Sequence, residues 1–183
     1  MNNDDIDIIA GFKLNDKKDI AFHILVKKYK EKLYWHIRRI VLDHNDADDV
    51  LQNTFVKIWR NIDSFREESS LYTWIYRIAT NESISFINSK KRMKYISINN
   101  SHNSLEKKIT MEPYFEGDKI QTKLQEAILK LPKKQMIVFN MRYFDEIKYE
   151  DMSKILNTSV GALKASYFHA VKKIEEYLNN THY

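Results

Sequence analysis

FREESSLYTWIYRIATNESISFINSKKR, from Phe65 to Arg92, is the stretch on which the reading of this chain turns. At about 3.6 residues per turn, Trp74, Arg77, Asn81, Asn88 and Arg92 fall along one line of a helix. Leu71, Ile75, Ile78, Ala79 and Phe86 fall on the adjoining stripe. The stripe can seat the helix on a core. The line beside it carries chemistry suited to nucleic acid: arginine grips phosphate or guanine, asparagine reads a base edge, and tryptophan stacks on an exposed base. A tryptophan beside an apolar stripe equally suits a core position, and surface arginines need no ligand.

Immediately upstream the charge inverts. Residues 43–53 hold Asp43, Asp46, Asp48 and Asp49 and no Lys or Arg, whereas residues 77–95 set Arg77, Lys90, Lys91, Arg92 and Lys94 against Glu82 alone. A basic surface attracts phosphate and an acidic one invites a basic protein, so this polarity predicts two different partners. A basic helix C-terminus that complements its own dipole is the plainer explanation of KKRMK.

Helical periodicity extends in both directions. A short amphipathic segment covers residues 3–12. Asp19 can cap a longer helix with Phe22, Leu25, Tyr29, Leu33, Ile37 and Val41 on its buried stripe. A helix from about Ala47 to Ile62 buries Leu51, Phe55, Ile58 and Ile62, and the loop DSFREES follows it. Between Ser97 and about Lys119 the period fails in an Asn/Ser-rich stretch of mixed charge, which reads as a flexible linker. Helices resume at Ile120–Leu131, after Pro132, at Tyr149–Leu156 and at Val160–Leu178. The predicted fold is all-α: two small helical domains, residues 1–95 and 120–183, joined by a flexible linker at 96–119.

The last two helices have the spacing of a helix-turn-helix. Ser153 is small where the helices cross, Asn157 tolerates a left-handed turn, and Leu163 seats the second helix. Ser159 can cap that helix, whose stripe continues through Tyr167, Ala170 or Val171, Ile174 and Leu178. Its exposed N-terminal face would carry Gly161, Ala162, Lys164, Ala165 and Phe168 into a major groove. An ordinary helical hairpin is the competing explanation.

Composition agrees with a helix-rich chain. The 183 residues are 43% hydrophobic and 30% charged, with three glycines, two prolines and a net charge of +5. No apolar run is long enough to cross a bilayer and no signal-peptide pattern opens the chain, so no membrane insertion and a cytoplasmic location are expected. With no cysteine, disulfides, thiolate metal sites and cysteine catalysis are excluded. His44 with Asp46, Asp48 and Asp49 could suggest a metal, but aspartates at a helix start are favoured by capping and dipole alone. Neither phosphate-binding loop, dinucleotide fingerprint nor nucleophile elbow appears. The expectation is therefore no enzyme, no metal and no cofactor.

DADDVLQNTFVKIW, then SFREESSLYTWIYRIATN, then LPKKQMIVFNMRYFDEIKYEDMSKILNTSVGALKASY, in this order and separation, resemble an RNA polymerase sigma factor of the extracytoplasmic-function class. The resemblance covers about residues 6–95 and 120–178. It implies that the acidic helix docks on the clamp coiled coil of core RNA polymerase through Asp49, Gln52, Asn53, Ile58 and Trp59. Asn53 stands where the family usually has a carboxylate. It implies that the loop from Phe65 to Leu71 and the helix after it open the upstream promoter element and hold an unpaired base. Phe65, Arg66, Trp74, Arg77, Asn81, Asn88, Lys91 and Arg92 form that DNA face, and base capture offsets the unstacking cost of melting. The second domain would read the distal promoter element and touch the polymerase flap, with Arg142, Lys148 and Tyr149 anchoring the backbone. Many relatives carry arginines on the recognition helix; here Lys164, Lys172 and Lys173 flank short apolar residues, which suit thymine methyls and an A·T-rich element. An anti-sigma partner is a further implication. A conventional helix-turn-helix transcription factor is the alternative, but it leaves the first domain without a role. A metal-dependent nuclease built on the aspartates is a more distant one.

Overall fold

The computed structural model describes residues 3–96 and 119–180. Among them are eight α-helices and no strand. The expected linker at 96–119 lies almost wholly outside the described residues. None of the described helices is long and apolar enough to cross a membrane. The chain divides into two compact units, one of Met1–Lys90 with Lys154–Leu156, the other of Lys91–Ser153 with Asn157–Tyr183.

The first unit is built on α1 (Asn3–Phe12), a 3₁₀ turn at Asn15–Lys17, α2 (Lys18–Val41), α3 (His44–Asn61), a second 3₁₀ turn at Ile62–Ser64, and α4 (Leu71–Ile96) as far as Lys90. The apolar spacing of α2 buries Leu25, Tyr29, Leu33, Ile37 and Val41, with Ala21, His36 and Ile40 filling in. Each fully buried Leu or Ile side chain contributes about 1.5–3 kcal/mol. Asp19 does not cap this helix. The residue before it is Lys17, which makes no side-chain cap, and Asp19 sits in the first turn, where its charge still complements the dipole.

Helix α2 ends with Leu42 in the left-handed region at φ 69°, its N–H donating to the Arg38 carbonyl. Asp43 then turns extended, and its side chain accepts from the Asp46 N–H at 3.1 Å. This cap starts α3 at His44, three residues before the expected Ala47.

Helix α1 is held closely. A Cβ on Gly11 would lie 2.8 Å from the Ala21 Cβ, so only glycine permits this approach of α1 to α2. Asp5 is buried and accepts from the Tyr29 hydroxyl at 2.7 Å and from Lys28 at 2.9 Å. Burial, then the hydrogen bond to Asp5, pushes the Tyr29 phenol well above its usual pKa. The buried His36 Nε2 meets Thr80 Oγ1 at 2.9 Å and joins α2 to α4.

The second unit is built on α5 (Lys119–Leu129), α6 (Lys133–Tyr143), α7 (Tyr149–Leu156) as far as Ser153, and α8 (Val160–Asn180). Pro132 immediately precedes α6. Ala127, Ile128, Leu131, Met136, Phe139, Ala170 and Ile174 make one core, and Phe139 stacks on Tyr167 with ring centres 5.7 Å apart. Between α7 and α8 the turn has the expected form. Asn157 is left-handed at φ 49°, ψ 51°, its N–H donating to the Ser153 carbonyl. The Ala162 N–H donates to Ser159 Oγ at 3.3 Å, and Leu163 is buried. Of the two residues open for the stripe, Ala170 is the buried one and Val171 only partly so.

Candidate polymerase and nucleic-acid interfaces

On α3, Asp49, Gln52 and Asn53 are exposed at spacings of three and four, and Val56 extends the same line, 45% exposed. Val56, neither charged nor aromatic, stands seven residues after Asp49. Ile58 does not belong to this surface. It is fully buried beneath α3, because it shares the stripe of Leu51 that packs the helix on its neighbours. Trp59 is half-buried, its ring set edge-on to Phe22 at 4.9 Å, with the Lys18 ammonium 5.2 Å over it.

The acidic block is partly spent inside the unit. Asp46 is paired with Lys90 of α4, and Asp48 lies 3.6 Å from His44. Asp49 is exposed and makes no ion pair among the described residues. Lys57 and Glu82 form a second link between α3 and α4, beside a shallow groove lined by Val50, Asn53, Glu82, Ser85, Phe86 and Ser89. Among the described residues no three His, Asp or Glu gather as a metal would require.

At the start of α4, Ser70 Oγ accepts from the Thr73 N–H at 3.1 Å and caps the helix. Trp74 is not on the exposed line. It is 8% exposed, with the Phe65 ring 5.3 Å away, so its face is not open to a base in this conformation. The buried arc of α4 is wider than one apolar stripe: Thr73, Trp74, Tyr76, Thr80 and Ser83 join Leu71, Ile75 and Ala79. Hydroxyls enter this core because they satisfy themselves, Thr80 on the Tyr76 carbonyl at 2.7 Å and Ser83 on the Ala79 carbonyl at 2.8 Å. Ile78 and Phe86 are only half-buried. Arg77, Asn81, Asn88, Lys91 and Arg92 all stand exposed, as does Arg66, while Phe65 is half-covered.

In the second unit Gly161, Ala162, Lys164, Ala165 and Phe168 are exposed on one side of α8, opposite the buried Leu163, Ala170 and Ile174. At the start of α7 the Tyr149 ring has two cations near it, the Arg142 guanidinium at 5.5 Å and the Lys164 ammonium at 5.8 Å. Lys148 is exposed beside them.

Residues 25–93 match Sigma-70 region 2, and residues 121–174 match Sigma-70, region 4. The chain is 30% identical to the ECF RNA polymerase sigma-E factor of Haemophilus influenzae, covering 92% of each. It is 32% identical to the ECF RNA polymerase sigma factor SigW of Bacillus subtilis, over 79% of this chain and 81% of that one. In fold it is similar to CnrH, solved with the cytosolic domain of CnrY, at a TM-score of 0.71 and 19% identity over 98% of this chain and 99% of that one. It is equally similar, TM-score 0.71 at 21% identity, to the sigma factor RpoE of Bartonella quintana, solved with the anti-sigma factor NepR, over 86% of this chain and 96% of that one. On this sequence similarity the chain belongs to the RNA polymerase sigma factors of the extracytoplasmic-function class.

Proposed function

We propose that three separate surfaces divide the work of this sigma factor. As a member of its family the protein binds core RNA polymerase and directs promoter-specific initiation of transcription. Asp49, Gln52, Asn53 and Val56 dock on the polymerase clamp coiled coil, with the open edge of Trp59 at the border. Ile58 acts from beneath, by seating the helix. The loop Phe65–Leu71 with Arg77, Asn81, Asn88, Lys91 and Arg92 melts the upstream element and holds a flipped base. Trp74 braces Phe65 rather than stacking on the base itself. The α7–α8 pair reads the distal element, with Arg142, Lys148 and Tyr149 on the phosphates, and touches the flap.

One observation carries this reading. The basic and amide side chains of α4 stand exposed on the helix whose other side is packed into the first unit, inside the segment matched to region 2. A conventional helix-turn-helix factor would have no use for residues 25–93. Sigma factors are in general non-catalytic initiation factors, and this chain is proposed to have no reaction of its own. It works beside polymerase in the cytoplasm, and an anti-sigma protein of the kind seen with the Bartonella relative would hold it inactive.

The test is direct. The purified chain is added to core polymerase with genomic DNA, and the transcripts are sequenced. Discrete start sites that depend on the chain are expected. Unchanged, scattered initiation would refute the reading.

A further inference from the structure

Lys13 and Lys18 stand on either side of the 3₁₀ turn that joins α1 to α2, and both reach across the first unit to the segment after α3. Lys18 pairs with Asp63 at 2.7 Å, two residues before Phe65. Lys13 pairs with Glu67 at 2.5 Å, inside the Phe65–Leu71 loop itself. Both lysines have a firm footing. The close approach of Gly11 to Ala21 fixes the elbow between the helices, and the Lys13 N–H donates to the carbonyls of Ile9 and Ala10 at 3.3 and 3.2 Å. Lys18 lies over the Trp59 ring, and its side chain is only 24% exposed.

The loop is fixed at its ends and lightly held between them. The Phe65 N–H donates to the Ile62 carbonyl at 3.0 Å, and Ser70 caps α4. Arg66 and Glu68 are exposed and make no ion pair among the described residues. Glu67, between them, is doubly out of place. Its backbone is left-handed at φ 58°, a region that costs a glutamate free energy and persists only where surrounding contacts enforce it. Its carboxylate also has the wrong charge for a loop that meets DNA. One partner, Lys13, answers both: it offsets the charge and holds the residue in place.

We propose that Lys13 and Lys18 are positioning residues for promoter melting: through Glu67 and Asp63 they hold the Phe65–Leu71 loop in the conformation that receives the flipped base. This rests on the reading of that loop as part of the base-capturing surface. Exposed ion pairs are individually weak. Weak ties suffice here, because the ends of the loop are already fixed and only the backbone freedom of the few residues between them remains to be restrained.

The experiment uses the full chain bound to core polymerase, on the promoter fragment with the strongest chain-dependent start site. Open-complex formation is timed by permanganate reactivity. Lys13→Ala, Lys18→Ala and Glu67→Ala are each expected to slow opening about threefold at low salt, the scale of one exposed ion pair, with core affinity unchanged. The direction of the Glu67 effect is decisive. By charge alone, deleting a carboxylate beside DNA would tighten binding and speed opening, so slowing identifies a positioning role. The double variant Lys13→Ala/Glu67→Ala is expected to be no slower than either single one, because one pair is lost in all three. Faster opening in Glu67→Ala, additive losses in the double variant, or wild-type rates in either lysine variant would overturn the proposal. Arg66→Ala separates it from the reading beneath it. If that variant slows opening and the lysine variants do not, this proposal alone falls. If none of them slows opening, the base-capture reading of the loop falls with it.

Discussion

The Lys90 ammonium of α4 closes on the Asp46 carboxylate in the first turn of α3, and so ties the basic end of one functional helix to the acidic start of another. The two charged blocks read from the chain are therefore partly partners of each other. That pair removes one charge from each block, while Asp49 on one side and Arg77, Lys91 and Arg92 on the other stand exposed. Because Lys90 is about half exposed, the pair is screened by water and salt. Lys90→Ala is expected to lower stability by no more than about 1 kcal/mol in urea unfolding at low salt, and by less at high salt. A loss several times larger would mean that the pair holds the two helices together.

Asp49, in the proposed interface, and Ile58, in the core, make a contrasting pair. Asp49→Lys reverses an exposed charge and is expected to weaken binding to core polymerase at least about tenfold with an unchanged unfolding midpoint, since interfacial like charges cost on the order of several kcal/mol. Ile58→Ala removes a fully buried side chain and is expected to cost about 2–5 kcal/mol of stability. Core affinity measured by fluorescence anisotropy, beside urea unfolding of each variant, checks both. Unchanged affinity of the Asp49 variant would remove α3 from the clamp.

Some of this was legible in the chain and some was not, for identifiable reasons. Helix α7 spans Tyr149–Leu156 as its spacing predicts, and the turn at Asn157 is left-handed because a residue type tolerant of positive φ stands there. Ile58 is instructive: its period puts it on the buried stripe, and only the family resemblance put it at an interface. The periodicity was the better guide. Trp74 went the other way. A stripe drawn from apolar residues alone misses Thr80 and Ser83, whose hydroxyls bond back to the helix, and so draws the buried arc too narrow to include the tryptophan. The early start of α3 depends on a cap made by Asp43, one of four nearby aspartates that spacing alone does not rank.

The proposed function assigns Asn81 to melting rather than to docking. It is exposed on α4 four residues after Arg77, and the proposed function has its amide hold a base that has left the stack. Asn81→Ala is expected to leave closed-complex affinity within about twofold and to slow open-complex formation about tenfold, the loss of one base contact of about 1–3 kcal/mol. Permanganate reactivity of unpaired thymines against time measures the second step. Equal losses at both steps would contradict base capture.

The turn of the second unit makes a stability prediction independent of DNA. Asn157 holds φ 49°, a conformation that a β-carbon without local hydrogen bonding disfavours by about 1–2 kcal/mol. Asn157→Ala is expected to destabilise by about that amount. Asn157→Gly is expected to be close to neutral, since glycine enters this region freely. Urea unfolding of the two variants side by side makes the comparison, and a loss with glycine as large as with alanine would show that the amide matters more than the backbone.

Lys164 tests whether the grip on duplex DNA is electrostatic. Its ammonium lies over Tyr149, within reach of the same ring that supports Arg142, so two cations are presented together at the start of the helix pair. Neutralising one phosphate releases about one counterion, and affinity plotted against salt on logarithmic axes steepens by about 0.9 for each such contact. Lys164→Ala is expected to weaken holoenzyme binding to the distal element and to flatten that slope by about one unit, equally for matched and mismatched sequences. Tyr149→Leu, which removes the ring but no charge, is expected to lower affinity while leaving the slope nearly unchanged, because the cations remain but are no longer held in place. A Lys164 variant that changed sequence preference instead of slope would move this lysine from the phosphates to the bases.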